Sequence, residues 1–331
     1  MNIYKIYIIS TFFLFLSSST AAQNEESISK NDKKEIKGFI NKAVEEFSNT
    51  RYDKALDYSK KALMKSFEVN DDSHIAQSYN TIGVIYDECN ESKRAIEFYE
   101  KALRFARRIN NDTLNNWIYN NLGSAYYFND IDVDRGIENY KKALFFAKKI
   151  KDESQILHIN LNLASALLAV NENYKADVIL KSIKESVLKN NSDEVHLSYN
   201  LLLGIQSTHN DHKKDAEEYY AKAQVLAEKN NLQTNLLNIY ENLSSHYKYY
   251  HDTKNQELYQ EKYDSLYSTL YTEDKMYSLE KQALDIELDE YKMQLEKIEV
   301  ESEKNSKIVK TSKLVLILFM IIVITLLLLL L

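Results

Sequence analysis

Residues 79–102 read YNTIGVIYDECNESKRAIEFYEKA. The pattern predicts two short helices joined by a tight turn. Small residues stand where two helices would touch: Gly83, Ala95 and Ala102. Large apolar and aromatic residues share those faces: Ile82, Tyr86, Phe98 and Tyr99. A hairpin of this size cannot bury its apolar side alone, so it needs similar hairpins beside it.

The copies are present. The step from a large to a small residue recurs as Ile82-Gly83, Leu122-Gly123, Leu163-Ala164, Leu203-Gly204 and Leu243-Ser244, at spacings of 40, 41, 40 and 40. The small residue of the second helix recurs as Ala55, Ala95, Gly136, Ala176 and Ala216, with Gln256 in a degenerate copy. Four positions on stands Tyr99, Tyr140 or Tyr220, with Leu180 and Gln260 as exceptions. The closing alanine is Ala62, Ala102, Ala143 or Ala223. Glycine usage agrees. Of five glycines, Gly83, Gly123, Gly136 and Gly204 fall where a small residue is required. Glycine is a poor helix former, so close helix approach must be what places it there.

These positions resemble the tetratricopeptide repeat. The period exceeds the usual 34 residues by about six, and the surplus is expected as extra helical turns. The expected fold is all-α: a right-handed superhelix of about six long hairpins over residues 35–265. The chain contains no proline, so asparagine-rich turns such as Asn110-Asn111, Asn190-Asn191 and Asn230-Asn231 are expected to end the helices.

In such a superhelix the first helix of each unit lines the concave face, where a partner binds. Counting from the glycines puts Gln77, Asn80, Val84 and Asp87 on that face. Trp117, Asn120, Ser124 and Tyr127 follow, then His158, Leu161, Ser165 and Leu168, then Ser198, Leu201, Ile205 and Thr208. The candidate partner-binding residues are Gln77, Asn80, Asp87, Trp117, Asn120, Tyr127 and His158, and the expected ligand is a peptide or protein. Two readings stand for Asn80 and Asn120: contact with a ligand, or hydrogen bonding between neighbouring helices. Trp117, the sole tryptophan, fits either a groove anchor or a core position.

The flanks carry other signals. Lys5, the apolar run at 6–16 and the small residues at 17–22 predict an export signal cleaved after Ala22. Residues 23–34 are polar and read as a linker. Over 266–312, Tyr277, Leu284, Leu288, Tyr291, Leu295 and Ile298 step by sevens, fours and threes. This predicts a helical stalk with a short coiled-coil seam, through which two copies could pair. Residues 313–331 end in eighteen uncharged, largely apolar positions, read as one transmembrane helix.

Enzyme signatures are missing. Phosphate-cradling glycine loops, the zinc-protease helix motif and the nucleophile elbow do not occur. His209 and His212 lack a third metal ligand, and the acidic run 130–134 lacks the glycine and glutamate of a calcium loop. No catalysis, cofactor or metal is expected. A net charge of −7 without a basic stripe argues against nucleic-acid binding. The order of segments resembles bacterial membrane-anchored tetratricopeptide-repeat sensors. That resemblance implies a single-pass inner-membrane protein with its repeats outside the cytoplasm. It also implies a LuxR-type output domain after the membrane helix, and this sequence stops where that domain would start. The alternative is a scaffold for an envelope complex without a signalling role.

Overall fold

Three-residue turns set the rhythm of the chain. The computed structural model describes residues 29–128 and 131–330, so the proposed signal at 1–22 lies outside the described residues. Six helix hairpins follow one another. They are α1 (Lys30–Ser48) with α2 (Tyr52–Glu68), α3 (Asp72–Glu88) with α4 (Ser92–Arg108), and α5 (Asp112–Phe128) with α6 (Val133–Ile150). Then come α7 (Glu153–Ala169) with α8 (Asn173–Leu188), α9 (Asp193–His209) with α10 (Lys213–Lys229), and α11 (Gln233–Tyr249) with α12 (Thr253–Leu270). Typical helices such as α2, α3 and α4 have 17 residues. Two of them with two short turns make the 40-residue period, so the surplus over the common repeat is helix.

The turns end the helices by a left-handed residue. Asn70, Asn90, Asn110, Asn171 and Asn231 have positive φ, as do Thr50, Lys151, Asp211 and His251. Asparagine adopts this conformation at low cost. At the end of α3 the Asn90 N–H donates to the Asp87 carbonyl and the Glu91 N–H to the Tyr86 carbonyl, both at 2.9 Å. These bonds satisfy carbonyls that a helix end otherwise leaves open. The next helix then starts on a side-chain cap. Asp71 accepts from the N–H groups of Ser73 and His74, Asn111 from Leu114, Asp152 from Gln155 and Ser192 from Val195. A polar cap of this kind contributes about 1 kcal/mol.

Inside each hairpin a tyrosine ring lies on a glycine. A Cβ added to Gly83 would come within 2.5 Å of the Tyr99 ring, one on Gly123 within 2.6 Å of Tyr140, and one on Gly204 within 2.8 Å of Tyr220. Gly136 is tight for a different reason: its Cβ would meet the Gly123 carbonyl at 3.0 Å. Where the tyrosine is lost the small residue changes too. Ala164 goes with a buried Leu180, and the Ser244 hydroxyl donates to Gln260 Oε1 at 3.2 Å. The alanines Ala95, Ala102, Ala143, Ala216 and Ala223 are fully buried around these contacts.

Each first helix also touches the first helix of the next hairpin: α1 with α3, α3 with α5, α5 with α7, α7 with α9, and α9 with α11. Successive second helices do not pack comparably. The first helices therefore sit on the inner, shorter arc, and the second helices splay on the outer one.

Residues 273–330 form one continuous helix, α13 (Glu273–Leu330), in a compact unit of its own. Of its heptad positions, Leu288 and Tyr291 are exposed. The expectation of one transmembrane helix over 313–331 does not hold: among the described residues no helix is long and apolar enough to cross a membrane. The described apolar side chains near its end, at 314–316 and 318–320, are exposed. They follow turns bearing Lys304, Lys307, Lys310 and Lys313. Crossing takes about 20 consecutive apolar residues. The expected single-pass location in the inner membrane falls with that helix.

The glycine–tyrosine contact makes a quantitative prediction. Gly83→Ala gains about 1 kcal/mol of helix propensity, yet should lose stability by roughly 1–3 kcal/mol through collision with Tyr99. Adding Tyr99→Leu, which recreates the Ala164–Leu180 pairing, should recover part of that loss. Urea unfolding of the four members of the cycle measures the coupling. Simple additivity would refute it.

Candidate functional site

About 100° separates successive residues around a helix, so each inner helix carries distinct stripes. The positions three before and four after Gly83, Gly123, Ala164 and Gly204 share one stripe. It holds Asn80 and Asp87, Asn120 and Tyr127, Leu161 and Leu168, and Leu201 and Thr208. Leu161, Leu168, Leu201 and Thr208 are buried. This stripe faces the next inner helix. Asn121 Nδ2 donates to Asn80 Oδ1 and Asn162 Nδ2 to Asn120 Oδ1, each at 3.0 Å. Tyr127 and Ser165 share a hydroxyl hydrogen bond at 2.9 Å, and Thr208 bonds His246 Nδ1 at 2.8 Å. Asn80, Asn120 and Tyr127 thus join neighbouring hairpins.

A second stripe lies six before and one after Gly83, Gly123, Ala164 and Gly204, and it touches the seams, since Ser165 is the partner of Tyr127 and Ser124 accepts from the Tyr140 hydroxyl at 3.0 Å. It brings Gln77, Trp117, His158 and Ser198 into one row, and Val84, Ser124, Ser165 and Ile205 into another. Trp117 is 39% exposed, and the others are half-buried. The same rows continue onto the degenerate sixth hairpin as Asn238 and Ser245, half-buried and exposed. Ser244 and Gln260 replace the glycine and tyrosine there, and the sequence alone assigned no concave-face residue to that hairpin.

The array curls back on itself. Thr234, at the start of α11, donates to Glu88 Oε1 at the end of α3, 2.5 Å away. Asn90 Nδ2 donates to the Tyr267 hydroxyl at 3.2 Å. Tyr52 and Tyr271 belong to the same contact: burial pushes both phenols up, and Glu88 adds to the effect on each. The sixth hairpin therefore meets the second. These contacts span 146 and 177 residues, and no periodic feature of the sequence announces them.

Two seam groups titrate abnormally. Burial pushes the Asp87 carboxyl up to about 7; the Ser92 hydroxyl, 3.1 Å away, opposes this, and Glu88 adds to it. Burial lowers His246 to about 4, helped by Lys213. His246 is enclosed by Tyr220, Tyr247 and Tyr250, with ring centres 4.9–5.4 Å away. Of the two histidines weighed as metal ligands, His209 bonds Asn173 at 2.8 Å through Nδ1. Among the described residues no group of three or more His, Cys, Asp or Glu side chains could hold a metal ion.

No protein-family model and no curated protein sequence matches the chain. Solved structures do. A Rap protein complexed with competence and sporulation factor superposes with a TM-score of 0.58 at 12% identity, over 72% of this chain and 78% of that one. The fold is that of a tetratricopeptide-repeat solenoid. The Rap conjugation gene regulator of plasmid pLS20, in complex with the Phr* peptide, gives a TM-score of 0.53 at 16% identity, over 86% of this chain and 85% of that one. The apo form of RapI gives 0.50 at 16%, over 70% and 95%. At these identities the likeness is one of fold.

The two buried groups bend stability in opposite directions. Asp87 has a folded pKa above its ordinary 3.8, so the folded chain favours its protonated form. Its contribution is complete below about 3.8 and is lost as pH rises to about 7. Asp87→Asn should therefore be more stable than the parent at pH 8 and no more stable at pH 3.5, by urea midpoint. His246 has a folded pKa below its ordinary 6.5. Its neutral form is favoured, and stability falls as pH drops from about 6.5 to about 4, at about 1.4 kcal/mol per unit. In the Asp87→Asn background, His246→Gln should flatten that acid slope, and an unchanged slope would contradict the assignment.

Proposed function

We propose that the repeat array binds an extended peptide in its enclosed interior and that occupancy regulates a downstream partner. The observation that carries this reading is the return of the sixth hairpin to the second. In this proposal that return makes the two rows of inner residues the wall of a confined space. Gln77, His158, Ser198 and Asn238 supply amide, imidazole and hydroxyl groups for a peptide backbone. Trp117, Val84 and Ile205 supply apolar surface for one or two side chains. Such a mixture suits a peptide better than a small apolar molecule, which needs a mostly apolar cavity.

Asn80, Asn120 and Tyr127 act one step back in this proposal. Their hydrogen bonds hold adjacent inner helices in register, so they set the spacing of the rows. Asp87 belongs with them and lies next to Glu88, which anchors the closing contact. A peptide that changes the separation of the second and sixth hairpins would strain the Glu88–Thr234 and Asn90–Tyr267 bonds. That gives a route from occupancy to an altered outer surface. The Rap regulator of pLS20, in complex with the Phr* peptide, makes peptide-dependent regulation a reasonable use of this fold.

A random-peptide display library selected against the full chain tests the proposal, with the single tryptophan as reporter. Selected peptides should shift Trp117 emission. By calorimetry, which needs no tryptophan, they should bind at least tenfold more weakly to Trp117→Ala and to Ser198→Arg, a loss of about 1.4 kcal/mol or more. Failure to enrich any peptide, or affinities indifferent to both substitutions, would reject it.

A further inference from the structure

The splayed outer helices leave clefts between hairpins, and one of them has an unusual charge. A cavity of about 340 Å³ lies between the second and third hairpins. Arg104 and Arg107 line it from α4, and Arg135 and Lys142 from α6. Glu100 is the one carboxylate in the lining. We propose that this cleft binds a small dianion of the phosphate-monoester class.

Three of the cations, Arg107, Arg135 and Lys142, lie against a buried aromatic floor. Tyr119 and Tyr126 are buried, with 5% and 4% exposure. The Arg135 guanidinium lies 4.3 Å from the Tyr126 ring centre. Arg107 lies 5.5 Å from the Tyr119 ring centre and donates to the Tyr119 hydroxyl. The Lys142 ammonium is 5.8 Å from that same ring. Stacking on an aromatic face fixes a guanidinium plane and leaves its in-plane donors for an oxyanion.

Neighbouring carboxylates do not absorb this charge. Among the described residues Arg104, Arg107 and Arg135 form no ion pair. Lys142 has one exposed partner, Glu138, at 3.6 Å. Glu100 Oε1 accepts from the Tyr126 hydroxyl at 3.5 Å. Asp132 is engaged as the cap of α6, accepting from the Arg135 N–H at 3.0 Å.

The next cleft serves as an internal control. Between the third and fourth hairpins the same helix geometry leaves about 480 Å³. There Asp134 and Glu172 offset Lys141 and Lys175, and the floor is Leu163 and Leu167. Cationic lining is therefore a property of one cleft and not of the architecture. The chain as a whole carries −7, so an extended polyanion would be repelled beyond the cleft. A compact dianion gains from four cations without that cost. Arginine forks match phosphoryl oxygens in pairs.

Calorimetric titration of the full chain with inorganic phosphate and with phenyl phosphate, at fixed ionic strength, tests the site. Saturable one-to-one binding in the millimolar range or tighter is expected. It should weaken at least tenfold in Arg107→Gln/Arg135→Gln and stay unchanged in Arg108→Gln, whose partner Asp72 lies outside the cleft. Thermal melting by circular dichroism checks the fold of each variant. Glu100→Gln gives an independent arm and should tighten binding severalfold. Tighter binding of phenyl phosphate points to an esterified phosphoryl group, and equal affinities point to the free anion. Both support the site. Absence of saturable heat with either probe overturns the proposal, as does equal weakening in Arg108→Gln or no response to Glu100→Gln.

Discussion

A flat phenol ring lying on bare backbone holds each complete hairpin together. Tyr99, Tyr140 and Tyr220 can be buried only because Gly83, Gly123 and Gly204 have no side chain. An aromatic side chain removes about 150–250 Å² from water, the largest apolar burial one residue offers. Two helices this close leave no room for variation on one side alone. The chain itself demonstrates this, because the fourth hairpin changes both members to Ala164 and Leu180, and the sixth to Ser244 and Gln260. The sixth replaces apolar contact with a hydrogen bond, and α12 has no fully buried residue of its own. It is held instead partly by its meeting with the second hairpin through Tyr267.

Polar groups are distributed according to what each helix face meets. Between inner helices, amide and hydroxyl pairs such as Asn80 with Asn121 and Asn120 with Asn162 fix the register that apolar packing alone leaves loose. Paired in this way they meet the requirement that buried polar groups be satisfied. Their neighbours Asp87 and His246 pay a desolvation cost that shows as displaced acidities. At the hairpin ends, charge follows the helix dipoles. Asp72 meets Arg108, Asp112 meets Lys149 and Asp193 meets Lys229. In each pair the acid stands in the first turn of an inner helix and the base near the end of its outer partner. These exposed pairs contribute little individually, but their repetition marks the same junction in three hairpins.

The two candidate sites differ in origin. The interior arises from curvature, since the first helices pack on one another and the second ones do not. The outer cleft arises from the same curvature seen from the other side, and its charge is local to α4 and α6. The two proposals thus assign one fold an inner surface for a chain-like ligand and an outer one for a compact ion.

Local chemistry by itself determines the hairpins. The 40-residue spacing, the glycines, the tyrosines sixteen or seventeen positions later and the asparagine turns depend only on residues near one another in sequence. Helix periodicity and steric fit act at that range. The candidate site was half legible. Counting by turns found the inner helices, but it could not separate the lining row of Gln77, Trp117 and His158 from the seam row of Asn80, Asn120 and Tyr127. The buried leucines Leu161, Leu168 and Leu201 were the available clue to the seam. The reading of 313–331 as a transmembrane helix failed, since among the described residues no helix is long and apolar enough to cross a membrane. Closure of the array belonged to tertiary structure alone. Small rotations between successive hairpins accumulate over six units, and only their sum decides that Thr234 reaches Glu88 and Asn90 reaches Tyr267.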